Sequence, residues 1–277
     1  MTGPGWQGSR VGDRHPYLDG PYPRAYAHRG WHIGELAGCE NTIAGFVRAV
    51  DEGFSYIEMD VHASADGVAM VHHDPTLDRT TDGHGALSRL PAAEIGSALV
   101  AGREPVSRLE TVLSTLPTTR FTIELKSDAV VLPTLAVLEH LDAWDRVCLG
   151  AFYEARLRRA RAAGGGRLLT SMGQSAAIGL RGRAWLKAVP GPTGVVSPLL
   201  PRVAGGLAQL PRALGTLRVV DRELLREAHR RDIEVHVWTV NDEAEMRQLL
   251  DLGVDGLLSD RPDVLRDVLR SRGEWPG

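Results

Sequence analysis

Cysteine is almost missing from this chain. Its 277 residues contain two, Cys39 and Cys148, far apart and without the spacing of a metal-binding pair. They provide neither a disulfide framework nor a thiolate metal site, and two free thiols fit a reducing compartment. Long apolar runs are missing too. The N-terminal region lacks the stretch of about 7–15 apolar residues that a secretory signal carries. No segment approaches the roughly 18 apolar residues that cross a bilayer. A cytoplasmic chain with no stable membrane association is expected. The third absence is charge of one sign: the formal net charge is −3, which supplies no basic field for nucleic acid. Arginines do cluster, at Arg156, Arg158, Arg159 and Arg161 and again at Arg226, Arg230 and Arg231. Those segments look helical, and a solvated helix face is their ordinary reading.

What the chain does have is chemically competent groups at the ends of apolar strands. Tyr56-Ile57-Glu58-Met59-Asp60-Val61 reads as a strand. Side chains two apart on a strand share a face, so Glu58 and Asp60 converge on one small volume. Such a pair is often a solvated outer face. Held close, two carboxylates repel unless a proton or a cation separates them. A hairpin-type turn, Asp66-Gly67, follows, and the alternation after it ends in His72-His73-Asp74. The same grammar recurs in Arg120-Phe121-Thr122-Ile123-Glu124-Leu125-Lys126, and the short run Ala25-Tyr26-Ala27 ends in His28-Arg29-Gly30. Several strands ending in such groups are the layout of a barrel whose active site lies at the strand C-termini.

Length agrees, since 277 residues is close to the roughly 250 of an eight-fold β/α barrel. Residues 1–24, rich in Gly, Pro, Arg and Asp, read as an irregular N-terminal arm, and 25–272 as one barrel domain. The spacing predicts a helix over Ile43–Glu52 with Gly53 as its stop. Strands are expected over 56–62 and 120–126, with a further extended segment over 67–73. Residues 75–110 carry turn signals (Asp82-Gly83-His84-Gly85) and little periodicity, so they read as an insertion after strand 2, over the mouth of the site. The beat then continues with strands over 147–152 and 167–172 and helices over 130–141, 153–163 and 176–188. Residues 190–216, rich in proline and glycine, are the least legible, and a sixth strand is expected to hide there. Helices over 221–230, 243–252 and 262–271 alternate with strands over 234–240 and 256–259. This alternation argues an α/β architecture, a TIM-type (β/α)8 barrel.

The motifs also occur in a recognisable order. His28-Arg29-Gly30, Glu40-Asn41-Thr42, Glu58-x-Asp60, Asp66-Gly67, His73-Asp74 and Leu77-x-Arg79-Thr80-Thr81-x-Gly83 come first. Glu124-x-Lys126, Trp238-Thr239-Val240-Asn241, Gly253-Val254-Asp255-Gly256 and Ser259-Asp260-Arg261-Pro262 follow. Together, over about Ala25 to Leu269, they resemble the small bacterial type of glycerophosphodiester phosphodiesterase. The chain departs from that pattern at Cys39, where the family usually has Pro before Glu-Asn-Thr, and residues 173–216 align with no family feature.

The resemblance implies a β/α barrel, one divalent cation, and hydrolysis of a small glycerophosphodiester to glycerol 3-phosphate and an alcohol. Glu58, Asp60 and Glu124 are hard oxygen ligands suited to Mg²⁺ or Ca²⁺. With that cation, Arg29, Lys126 and a phosphodiester monoanion, the three carboxylates reach neutrality, which a partly desolvated site requires. Arg29 and Lys126 are expected on the phosphate. His28 and His73 are the acid/base candidates, because imidazole titrates near neutrality. A lone histidine is more often a structural hydrogen bonder, but both of these end strands beside carboxylates and match the family's catalytic positions. His72 alternates to the other face, and His62, in phase with Asp60, could line the pocket. Trp238, in phase with His236, is placed by the resemblance in the glycerol pocket, although core packing is the default for a tryptophan. Glu40 is open between a substrate-site contact and helix capping, as is Asn41. Two other functions fit the same residues: a phospholipase D-like enzyme acting on lysolipids or sphingolipids, and a non-catalytic barrel that binds phosphodiesters. The first needs apolar interfacial loops, for which 75–110 is too polar; the second would have lost a ligand or a histidine.

Overall fold

Eight short apolar runs become eight parallel strands, and the mixed stretches between them become the helices that cover them. The computed structural model describes residues 14–188 and 199–275. Its barrel strands are β1 Arg24–His28, β2 Tyr56–Ala63, β3 Arg120–Leu125 and β4 Val147–Gly150. They continue with β5 Leu169–Thr170, β6 Leu207–Pro211, β7 Glu234–Trp238 and β8 Gly256–Ser259. The helices that follow them in turn are α1 Ile43–Asp51, α2 Leu109–Thr115, α3 Val131–His140 and α4 Glu154–Gly164. The second half carries α5 Gln174–Ala188, α6 Arg222–His229, α7 Glu243–Leu252 and α8 Pro262–Ser271. The strands pair in the order β5-β4-β3-β2-β1-β8-β7-β6, and a parallel bridge between Ser171 and Leu207 joins the two ends. This is a nearly closed (β/α)8 barrel, with the sixth strand inside 190–216 as expected; residues 189–198 lie outside the described ones. Strand 5 is shorter than its sequence suggests, because Arg167 belongs to a 3-10 turn, Gly165–Arg167.

All eight residues of β2 are buried, as a parallel strand covered on both faces must be. Ile57, Met59 and Val61 pack into the main core between strands and helices. The alternate residues therefore face the barrel interior, so Glu58 and Asp60 are not on a solvated outer face.

The N-terminal end of the barrel has a floor. A 3-10 turn, Pro16–Asp19, buries Tyr17 and Leu18 against Tyr26, Tyr56, Cys148, Leu169, Leu207 and Leu258. The described part of the N-terminal arm is thus packed into the barrel; residues 1–13 lie outside the described ones. Arg24, 2% exposed, is held by Glu234 through Nε at 3.2 Å and Nη2 at 3.0 Å. Above the floor a polar chain crosses the interior. Gln209 meets Thr122 (3.0 Å), Thr122 meets Tyr17 (2.8 Å), and Tyr17 meets Tyr26 (3.1 Å). Tyr26 meets His236 Nδ1 (3.2 Å), whose Nε2 meets Glu234 (2.9 Å). Buried polar groups are tolerable because each finds a partner.

Residues 64–108 form the insertion after β2. Its short strand, Ala69–Val71, pairs antiparallel with the end of β2 through the Asp66-Gly67 turn. Beyond it, Leu77, Leu87, Ala92, Ile95, Ala98, Val100 and Val106 bury a separate small core with Met70. That core is assembled from turns and from two-residue strands such as Leu99–Val100 with Glu104–Pro105. Such pieces have no repeat for the sequence to display, which is why 75–110 reads as featureless.

Candidate active site

Strand register brings the acidic groups together. β1 pairs with β2 so that His28 stands opposite Glu58, and β2 pairs with β3 so that Asp60 stands opposite Glu124. Glu58, Asp60 and Glu124 each offer an oxygen, and these oxygens lie within 4.8 Å of one another. Glu58 and Asp60 are buried, and Glu124 is half-buried.

The chain reverses sharply after β1. Arg29 and Gly30 both adopt left-handed backbone angles, φ +56° and +84°, which cost a non-glycine residue roughly 1–2 kcal/mol. Gly30 has a second reason to lack a side chain: a Cβ there would stand 2.8 Å from the Phe46 ring. The reversal aims the Arg29 amide at Glu58 Oε2 (3.2 Å) and its Nη1 at Glu40 Oε1 (3.1 Å), and leaves Nε 3.4 Å from Asp60 Oδ2. Lys126 closes the ring, with Nζ 3.0 Å from Asp60 Oδ1 and 2.8 Å from Glu124 Oε2.

Burial and then the charge of Asp60 push Glu58 up to about 8. Burial would raise Asp60 too, but Lys126 and Arg29 overcome it and hold that carboxyl below its usual range. Asp60 is held from both sides, by Lys126 at Oδ1 and by Asn41 at Oδ2. Asn41, at φ +59°, donates Nδ2 to Asp60 Oδ2 (2.8 Å) and accepts from the Asp60 amide (3.1 Å). Asp60 Oδ1 is buried without a well-aligned hydrogen bond. An all-oxygen donor set of three converging carboxylates fits a hard divalent cation.

Two histidines flank this cluster. His28 Nδ1 lies 2.6 Å from Asp260 Oδ1, and its Nε2 is 3.6 Å from Glu58 Oε2. Burial opposes a charge on His28, but Glu58 and Asp260 prevail and raise its pKa. Asn241 fixes Asp260 in turn, through Nδ2 to Oδ2 at 3.1 Å and by accepting from its amide at 2.8 Å. His73 comes from the insertion, its Nδ1 2.6 Å from Asp74 Oδ1. Both neighbouring histidines are structural. His62 donates Nε2 to the His73 carbonyl (3.0 Å) and His72 donates to the Thr76 carbonyl (3.0 Å). His62 therefore supports the segment that carries His73.

Glu40 resolves toward the site, because α1 has another cap: Thr42 Oγ1 accepts from the Gly45 amide at 3.2 Å. Glu40 instead pairs with Arg29 and with Arg79. Trp238 stands at the rim of the barrel, 40% exposed, whereas His236 two residues earlier is fully buried. The sequence motifs contained Asn41, Asp74, Arg79, Asn241 and Asp260 without showing what each one holds. Their only signal is position, just beyond the end of a strand or within its loop.

A carboxylate cluster thus lies at the C-terminal end of a (β/α)8 barrel, ringed by Arg29 and Lys126 and flanked by two carboxylate-held histidines. Residues 24–264 match the Glycerophosphoryl diester phosphodiesterase family; the chain belongs to that family and is an enzyme of the phosphoric diester hydrolase class. "Probable glycerophosphodiester phosphodiesterase 2" of Mycobacterium tuberculosis is 37% identical over 253 residues, covering 91% of this chain and 93% of that one. Human lysophospholipase D GDPD1 is 26% identical over 277 residues, covering 88% of this chain and 85% of its own. Among solved structures, glycerophosphodiester phosphodiesterase from Agrobacterium tumefaciens superposes with a TM-score of 0.69 at 25% identity, over 90% of this chain and 99% of that one. An Oleispira antarctica phosphodiesterase, solved in complex with the product sn-glycerol-3-phosphate, is similar in fold: TM-score 0.70, 20% identity, 90% and 97% coverage.

Proposed function

We propose that this enzyme hydrolyses small glycerophosphodiesters to glycerol 3-phosphate and an alcohol, using His28 and His73 as the acid/base pair. The observation that carries the reading is the cluster of Glu58, Asp60 and Glu124 within 4.8 Å, with cations and histidines around it. A divalent cation, Mg²⁺ or Ca²⁺, held by these three carboxylates supplies charge neutralisation and polarisation of a phosphoryl oxygen. Arg29 and Lys126 bind the non-bridging oxygens, Arg29 through a planar fork that suits a phosphate. Asp260 and Asp74 each accept a hydrogen bond from Nδ1, so Nε2 is the working atom of both histidines. One Nε2 takes the proton of the attacking water as the new P–O bond forms. The other delivers a proton to the departing alkoxide as the old P–O bond breaks. Trp238 offers an apolar wall for the glycerol carbons. The sn-glycerol-3-phosphate bound by the Oleispira antarctica protein supports this choice of product.

A second reading, a lysophospholipid substrate, is favoured by one observation. Although 75–110 is polar, the loops after β4 and β6 and the end of β7 expose Phe152, Tyr153, Leu214, Leu217 and Trp238 at the catalytic end. The name of the human relative points the same way. Among the described residues no helix is long and apolar enough to cross a membrane.

Assay of the purified protein on glycerophosphocholine and lysophosphatidylcholine tests both readings. Free glycerol 3-phosphate and choline are expected from the first substrate. Replacing either histidine with alanine should lower kcat by roughly 10²–10⁴ while the fold persists. Phosphocholine and glycerol as products, or a His28→Ala variant with wild-type turnover, would overturn the assignment.

A further inference from the structure

Arg79 is exposed and belongs to the insertion, yet its guanidinium makes four hydrogen bonds to two carboxylates. Nε and Nη2 donate to Asp74 at 2.6 and 2.9 Å, and Nη1 and Nη2 donate to Glu40 at 3.1 and 2.7 Å. Each of those carboxylates holds one reactive group. Asp74 is 2.6 Å from Nδ1 of His73, and Glu40 is 3.1 Å from Nη1 of Arg29. A single side chain therefore ties together the end of β1, the loop before α1 and the insertion.

Its base is firm. Leu77 is 2% exposed in the insertion's own core, and the turn that carries Arg79 is closed by the Thr81 amide and Oγ1, which bond the Leu77 carbonyl at 3.1 and 2.8 Å. Exposed ion pairs contribute little to stability, ~0–1 kcal/mol, so two forks at one solvent-facing guanidinium serve direction more than cohesion. A bidentate pair fixes a carboxylate's plane as well as its position. With Asp74 held that way, the Nδ1 hydrogen of His73 has one place to point, which sets where Nε2 points.

We propose that Arg79 is a positioning residue for hydrolysis, acting through Asp74 and Glu40 to hold His73 and Arg29 in one fixed mutual arrangement. The inference rests on the roles given above to His73 and Arg29. Lysine cannot replace it, because one ammonium cannot present two forks.

The test is steady-state kinetics on glycerophosphocholine for Arg79→Ala, Arg79→Lys, Asp74→Asn and the double variant Arg79→Ala/Asp74→Asn. Thermal midpoints accompany the rates, and His73→Ala and Arg29→Ala serve as reference points. Arg79→Ala should lose about 10- to 100-fold in kcat, the scale of a small misplacement of reacting groups, with its thermal midpoint close to wild type. Arg79→Lys should recover little of this, and added guanidinium ion should rescue the alanine variant but not the lysine one. The double variant should be slower than Asp74→Asn alone by less than the full Arg79→Ala loss, because the two changes share the Asp74 linkage and only the Glu40 linkage remains to be lost. An Arg79→Ala rate within about twofold of wild type, or losses that multiply in the double variant without guanidinium rescue, would overturn the inference. If Arg79→Ala fails to fold, a fully active Arg79→Lys overturns it equally. If His73→Ala and Arg29→Ala are themselves fully active, the functional reading falls first; if they are dead and Arg79→Ala stays within about twofold of wild type, only the positioning role falls.

Discussion

His236 is a histidine that the fold keeps neutral. Burial lowers its pKa to about 3, in a barrel interior where it is fully buried. An unfolded chain takes up a proton on this side chain as pH falls below about 6.5, and the native one does not until far lower. Its contribution to stability is therefore complete above pH ~6.5 and is lost as pH falls from there toward the native value, at about 1.4 kcal/mol per pH unit. Denaturant midpoints at pH 7 and pH 5 should fall further for wild type than for His236→Gln, which carries no titrating group. Equal declines would show that the native site accepts the proton. Cys148 is a quieter case of the same physics: full burial pushes its thiol well up, which leaves it a packing group rather than a nucleophile.

The shortest strand of the barrel is β5, two residues long and paired with β4 at two positions. On its other side the barrel closes through the Ser171–Leu207 bridge and the Gly206 amide, which donates to the Thr170 carbonyl at 2.8 Å. Gly205 makes this seam possible. Its φ is +116°, and a Cβ would stand 2.6 Å from the Ser171 carbonyl oxygen. Gly205→Ala should cost more than about 1 kcal/mol, and hydrogen exchange should show amides 171 and 206 losing protection before those of β1 to β3. Unchanged protection there would mean that the seam can shift to make room. The same element marks the limit of what the sequence displays. β2 and β3 are legible because polar groups, Glu58 and Asp60 in one and Thr122 and Glu124 in the other, interrupt each apolar run at two-residue spacing, and α6 to α8 because their apolar faces recur at helical period. β5 is too short to show a period, and β6 lies beyond a proline- and glycine-rich stretch. The site divides likewise. Glu58 and Asp60 alternate along β2, Glu124 and His28 lie at or next to the ends of β3 and β1, and His73 follows the short strand Ala69–Val71, all places where sequence shows them. It does not show their holders, since Asp260 reaches His28 across 232 positions and only the closed barrel brings the two together.

At the scale of the whole molecule, the acidic cluster links cation binding to stability. Three carboxylates in one pocket repel one another despite Lys126 and Arg29, so a bound cation stabilises the native state by mass action. Chelation should abolish hydrolysis and lower the thermal midpoint, and Mg²⁺ or Ca²⁺ should restore both. Glu58→Gln should weaken cation binding, seen by calorimetry, yet leave the cation-free protein at least as stable as wild type because it removes a carboxyl whose ionised form the empty site disfavours. Full turnover in protein shown by elemental analysis to be metal-free would refute the cation site. The polar chain through the barrel has another property: it can run in only one direction. The Gln209 amide nitrogen donates and the Glu234 carboxylate accepts, so each hydroxyl between them is left one choice. Thr122 donates to Tyr17, Tyr17 to Tyr26, Tyr26 to His236 Nδ1, and His236 Nε2 to Glu234. The barrel thus encloses an ordered file of hydrogens, and no single hydroxyl can turn round unless its neighbours turn with it.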